Sequence, residues 1–245
     1  MIRRGCITAG AGALALAFTA GSAAQPARSS PLTVAPVETV VVELFTAQGC
    51  GSCPEADRTV EALAGAPNVI ALTYGVDYWD YQGWADTFAK PEFVERQRAY
   101  QQALRLRGVY TPQIVVDGRR AVSGVDAGAV GAAVEAAAGH RDFPPEIEFR
   151  QSGAHVGIGS GRVPEGGAEV WAVIYQPGPQ TVEVGAGDNR GRELRQVNVV
   201  KGLQPLGTWR GRATLFPLPE TGPDTAVAGR VQSRADGRSL AAAAR

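Results

Sequence analysis

Cys50 and Cys53 lie three positions apart, where the apolar run "ETVVVELFT" gives way to the helix-like stretch "CPEADRTVEALAG". At a strand-to-helix junction this spacing has a chemical use. A helix N-terminus offers unpaired N–H groups and a partial positive charge. Both favour a thiolate, so the first cysteine titrates low and becomes nucleophilic. Two intervening residues let the second thiol reach the first across one turn. Ser52 and Glu55 have the spacing of a capping box, and Pro54 suits a first turn, where its missing N–H would be unpaired anyway. On this reading Cys50 attacks and Cys53 resolves.

Two other uses of the pair stay open. As a structural staple it closes a loop so short that the chain-entropy gain is about 2 kcal/mol, against about 3 for a fifteen-residue loop. As a metal clip it needs about four ligands. The third cysteine, Cys6, falls in a segment expected to be removed, and the two histidines, His140 and His155, are distant in sequence. No metal and no cofactor is expected.

Two other features bear on the pair. Glu43 lies inside the apolar run, seven residues before Cys50. Buried there with a raised pKa, it could relay a proton to or from Cys53. The alternative is a paired or solvent-facing strand residue. The segment "YGVDYWDYQGWADTF" clusters Tyr74, Tyr78, Trp79, Tyr81, Trp84 and Phe88. It reads either as a lid or substrate wall beside the dithiol, or as a loop packed by its own aromatics.

The elements that must position these residues follow from pattern. "ETVVVELFT" and "NVIALTYGV" read as buried strands, with a helix between them at "CPEADRTVEALAG". "PEFVERQRAYQQALRLRG" predicts a helix with Pro91 at its start, Phe93, Gln97, Tyr100 and Leu104 along one side, and Gly108 at its end. "YTPQIVVDGRRAVSG" predicts a hairpin turning at Asp117-Gly118, and "DAGAVGAAVEAAAG" a last helix. Strands alternating with helices, then a hairpin, predict a mixed α/β sheet with flanking helices. Pro144-Pro145 marks a boundary. Beyond it "EIEFR", "AHVGIG", "EVWAVIY", "TVEV", "ELRQVNVVK", "RATLF" and "TAVAGRVQ" predict a small antiparallel β-sandwich. Arg190, Arg192 and Arg195 in "DNRGRELR" read as a solvated hairpin, and "SRADGRSLAAAAR" carries no strong signal.

The first element order resembles that of the thioredoxin fold, and "VELFTAQGCGSC" resembles the opening strand and active site of glutaredoxins and thioredoxins. With "GVDYWDYQGW", "RQRAYQ", "GVYTPQIVVDG", "GDNRGR" and "NVV", the chain from Glu38 to Gln232 resembles a secreted bacterial thioredoxin-like family catalogued as domain of unknown function twelve twenty-three. The resemblance implies a thioredoxin-like domain with a β-rich extension, Cys50 and Cys53 as the dithiol, and Thr111-Pro112 as a cis-proline edge that faces the dithiol and binds substrate. A strand-start proline is the alternative for Pro112. Members often carry Ser at the place of Gly51 and Pro at that of Glu55, departures that leave the thiols intact.

The first 24 residues have the layout of a secretory signal peptide: Arg3-Arg4, a short apolar core, and Ser22-Ala23-Ala24 before Gln25. Residues 25–37 then form a flexible leader, 38–142 the thioredoxin-like domain, 145–235 the β-rich domain and 236–245 a tail. The full chain has 24 basic and 24 acidic residues. That balance gives no reason to expect nucleic acid, and the mature form no reason to expect a membrane. The expected partners are protein or small-molecule thiols and disulfides, met in the periplasm or outside the cell, where disulfides persist. The sequence thus predicts an exported thiol–disulfide oxidoreductase. The competing readings are a non-catalytic envelope-binding protein with a passive Cys50–Cys53 staple, and a metal-delivery protein.

Overall fold

Val40–Thr46 is the strand on which the rest is built (β1), and all seven of its residues are buried. It is hydrophobic on both faces because both are covered, as parallel and mixed sheets require. In the computed structural model, which describes residues 38–139 and 144–245, the chain continues through α1 (Cys53–Ala64), β2 (Val69–Gly75), α2 (Pro91–Ala103), β3 (Gln113–Val116), β4 (Arg120–Ser123) and α3 (Ala127–Ala138). Then follow β5 (Ile147–Arg150), β6 (His155–Ile158), β7 (Ala168–Glu183), β8 (Glu193–Trp209), β9 (Thr214–Pro217), β10 (Ala226–Ser233) and β11 (Ser239–Ala244). The expected signal peptide with Cys6, the leader and His140 lie outside the described residues.

An eight-stranded mixed sheet runs in the order β11-β10-β7-β8-β2-β1-β3-β4. β1 pairs with β2 in parallel and with β3 antiparallel. The alternation of β1 sorts its side chains by face. Val40, Val42 and Leu44 pack with Ala56 and Val60 of α1 and with Val130 and Ala133 of α3. Val41 and Phe45 pack with Phe93, Val94 and Tyr100 of α2 on the other face. β5, β6 and β9 form a separate three-stranded sheet. Its Val156, Ile158 and Phe216 cluster with Val170, Trp209, Val231 and Ala241 of the large sheet.

The local signals act as the chemistry requires. Asp117 and Gly118 both have positive φ, 51° and 65°, the pair of values a two-residue hairpin turn demands. Gly118 is needed twice over, since a Cβ there would lie 2.2 Å from the carbonyl oxygen of Gly237. Asp126 caps α3 by accepting from the Ala129 N–H at 2.8 Å. α2 stops at Ala103, short of the expected Gly108, and Arg105 just beyond it takes φ 53°.

The C-terminal half departs from the expected set of short strands. β7, β8, β10 and β11 extend the sheet begun by β1–β4. "EVWAVIY" and "TVEV" are one strand, with an irregularity between Gln176 and Pro179. Asn198 makes this possible: its Oδ1 accepts from the Gly178 N–H at 3.0 Å, and its Nδ2 donates to the Ala71 carbonyl at 2.9 Å. The tail without a legible pattern supplies β11, an edge strand whose Ser239 N–H donates to the Asp117 carbonyl at 2.7 Å. Among the described residues no helix is long and apolar enough to cross a membrane.

Candidate functional site

β1 delivers the chain at Thr46 into two successive turns. Cys50 N–H donates to the Ala47 carbonyl and Cys53 N–H to the Cys50 carbonyl, each at 3.1 Å. Cys53 is the first residue of α1, and the two cysteines are joined as a disulfide with Cα atoms 5.4 Å apart. Ser52 stands at the N-cap position, but its side chain makes no capping bond. Its hydroxyl lies 3.7 Å from Cys50 Sγ instead, so the expected capping box does not form. Gly51 and Ser52 are exposed, whereas Cys50 and Cys53 are 1 % and 0 % exposed.

The cover over the pair comes from two distant segments. Trp79, in the aromatic stretch, lies against Gly49, and its Nε1 donates to Thr111 Oγ1 at 2.7 Å. Trp84 Nε1 donates to Gln48 Oε1 at 2.8 Å, and the Asp86 carboxylate accepts from the Gln48 N–H at 2.6 Å. The aromatic stretch is thus a wall of the cysteine turn, with only Tyr81 fully turned out at 79 % exposure. The second cover is the β7–β8 connection: Asn189 Nδ2 donates to the carbonyls of Gln48 and Cys50 at 2.9 and 2.8 Å.

The arginines singled out in that connection and at the start of β8 do separate things. Arg190 is exposed, Arg192 Nη1 donates to Asn189 Oδ1 at 2.7 Å, and Arg195 pairs with Glu61 of α1 at 2.6 Å. All three are exposed, as the solvated-hairpin reading expected, while Asn189 beside them is buried against the cysteine turn.

Thr111-Pro112 is a cis peptide bond. Pro112 packs near α1 through Gly124, where a Cβ would lie 3.1 Å from Pro112 Cβ and 2.6 Å from Ala56 Cβ. Trp79 links this edge to Gly49 in the cysteine turn. The Thr111 hydroxyl on this edge accepts from Trp79.

Glu43 does not have the raised pKa that a relay would need. It is fully buried, and Arg96 Nε lies 2.7 Å from Oε1 and Arg230 Nη1 2.8 Å from Oε2. The Tyr100 hydroxyl donates to Oε2 at 2.5 Å. Burial by itself pushes this carboxyl up, but Arg230 and Arg96 outweigh it and bring it down to about 2. The sequence reading left a paired strand residue open, and that is what Glu43 is.

The buried acid beside the cysteines is Asp57, one helical turn beyond Cys53 and therefore on the same face of α1. Burial raises its carboxyl to about 7, with the bond from Thr46 and the neighbouring Gln196 only tempering the rise. Thr46 Oγ1 donates to Oδ1 at 3.2 Å, and Oδ2 has no hydrogen-bond partner. Sequence reasoning missed Asp57, Gln48 and Asn189. Asp57 had left a signal, since it shares the buried face of α1 with Cys53, Ala56 and Val60. Gln48 and Asn189 had left none, because their roles rest on contacts across the fold.

These features define a mixed α/β protein with a covered Cys-x-x-Cys disulfide at the head of a helix. The family model described as "Protein of unknown function (DUF1223)" matches residues 41–232, and the chain belongs to that family. It is similar to the crystal structure of protein AGR_C_4864 from Agrobacterium tumefaciens, with a TM-score of 0.67 and 32 % identity over 85 % of this chain and 94 % of that one. It shares its fold with HBP35 of Porphyromonas gingivalis, with a TM-score of 0.52 and 17 % identity over 85 % of this chain and 74 % of that one. No curated protein matches.

Proposed function

We propose that this protein is an exported thiol–disulfide oxidoreductase whose thioredoxin-like part, residues 38–142, carries Cys50 and Cys53 as its reactive pair. The observation that carries the reading is the position of the disulfide, which ties the turn before α1 to the first residue of that helix. A thiolate released there meets the positive end of the helix. The cysteine-free β-rich part acts as a second layer and as cover for the pair; the packing of β6 and β9 against β7, β8, β10 and β11 supports reading it as a sandwich.

In the reducing direction, the Cys50 thiolate attacks one sulfur of a substrate disulfide. A mixed disulfide forms and one substrate thiolate leaves. The Cys53 thiolate then attacks Cys50 Sγ, releasing the second substrate thiol. The protein is left with the Cys50–Cys53 disulfide, and two electrons have passed to the substrate. The reverse sequence oxidises a substrate dithiol. Asp57 is the group suited to exchange the Cys53 proton, being buried, one turn away and titrating to about 7. Thr111 and Pro112 form the edge along which a substrate lies. The signal-like N-terminus supports action in the periplasm or outside the cell.

One observation favours a second reading. Cys50 and Cys53 are almost wholly covered, as suits a permanent staple in a non-catalytic envelope-binding protein. Trapping separates the two. Cys53→Ser is expected to accumulate mixed disulfides through Cys50, and Cys50→Ser to accumulate none. If neither variant traps a partner, and Cys50 of the mildly reduced folded protein resists alkylation, the staple reading stands and the oxidoreductase reading falls.

A further inference from the structure

The connection between β7 and β8, residues 184–192, is remote in sequence from the cysteine turn but bonded to it at three consecutive carbonyls. Asn189 Nδ2 donates to Gln48 and Cys50, at 2.9 and 2.8 Å, and the Asp188 N–H donates to Gly49 at 3.3 Å. The two segments approach closely at glycines. A Cβ on Gly187, whose φ is +78°, would lie 3.2 Å from Gly49 Cα, and one on Gly51 would lie 3.1 Å from Asp188 Cβ. Asn189 is fully buried, and its Oδ1 is engaged by Arg192 Nη1 at 2.7 Å. The amide is thus oriented by one bond while its two N–H groups serve two acceptors. Aspartate has no donor to offer there, and serine has one.

Resting on the dithiol reading above, we infer that Asn189 is a positioning residue of the Cys50–Cys53 couple, holding the Cys50 turn in the conformation that presents Sγ to Cys53. The Cys50 carbonyl accepts from Asn189 on one side and from the Cys53 N–H on the other, so the backbone bearing the attacking sulfur is fixed from outside its own helix. Fixing that turn raises the effective concentration of one thiol for the other. A higher effective concentration favours the disulfide and lowers the reduction potential.

The test equilibrates the full protein with glutathione buffers, in which two glutathione thiols are oxidised to one disulfide as Cys50–Cys53 is reduced to two thiols. Asn189→Ala is expected to shift that equilibrium about tenfold toward the dithiol, which for a two-electron couple is about 30 mV. Asn189→Ser, which keeps one donor, is expected to fall between alanine and the wild type. Alkylation of reduced Cys50 is expected to quicken in the same order. If the alanine variant does not fold, the serine variant and Arg192→Ala, which frees Asn189 Oδ1, carry the comparison. An unchanged glutathione equilibrium alongside a lowered Tm would make Asn189 merely structural and overturn the inference. Failure of the oxidoreductase reading looks different: Cys53→Ser traps no partner, while the glutathione equilibrium of the intact pair still moves with Asn189.

Discussion

Two carboxylates, both removed from water, sit on opposite faces of the same sheet and end in opposite states. Glu43 faces α2, touches two arginines and is brought down to about 2. Asp57 lies on the buried face of α1, receives a bond from neutral Thr46 and is raised to about 7. Burial pushes both in the same direction. The partner decides the outcome: a guanidinium offsets the loss of hydration, and a hydroxyl does not. One site is therefore a permanent structural charge and the other a group that titrates near neutrality, next to the cysteines. Perturbation of the second kind is what proton transfer near pH 7 requires.

The comparison breaks most visibly at Glu43. Glu43→Gln leaves the fully buried Arg230 and the nearly buried Arg96 without their counter-charge, and is expected to cost about 3–5 kcal/mol in urea unfolding at pH 7. The sign with pH follows from the lowered pKa. Its contribution is present above the unfolded value of 4.5 and is lost as pH falls toward about 2. The wild type and the variant should therefore converge across that window.

Asp57 should behave in the reverse sense. Its folded pKa lies above the unfolded value of 3.8, so folding binds a proton and stability declines as pH rises from 3.8 to about 7. Asp57→Asn is expected to gain about 4 kcal/mol at pH 8 and less than about 1 at pH 4. If Asp57 also serves the dithiol, the same variant loses a pH dependence near 7 in the rate of thiol exchange. A flat difference in stability across that range would show that Asp57 is not the titrating group.

Thr46→Val sharpens the contrast by removing a bond that holds the Asp57 value down. It is expected to cost about 1 kcal/mol, and to move the decline in stability to higher pH. Arg195→Ala is the exposed control. It breaks the pair with Glu61, whose side chains are 55 % and 33 % exposed, and is expected to change unfolding free energy by less than about 1 kcal/mol. A loss as large as that at Glu43 would mean that exposure does not separate the two kinds of pair.

Much of the first half of the fold was legible because its signals are local. Pro91 starts α2, Asp117-Gly118 turns the hairpin and Cys53 opens α1, each within a few residues of the feature it specifies. The second half was less so. Gln176–Pro179 reads as a break, since two prolines cannot donate to a ladder, yet the strand continues because Asn198, from the neighbouring strand, satisfies Gly178. β11 is a run of alanines with no alternation, and it becomes a strand by pairing with β10.

The sequence by itself determined the chemistry on offer: two thiols at helix spacing, an aromatic segment near them, and a carboxylate in the central strand. Tertiary structure alone decided which groups that chemistry would involve. Arg230, which ionises Glu43, and Asn189, which holds Cys50, are far along the chain from their partners and reach them only when β7, β8 and β10 join the sheet. Backbone conformation and turn type are set by neighbours in sequence, so residue order reports them. Desolvation, counter-charge and the filling of a carbonyl's lone pairs depend on what lies across the fold, and those are the terms that separate Glu43 from Asp57.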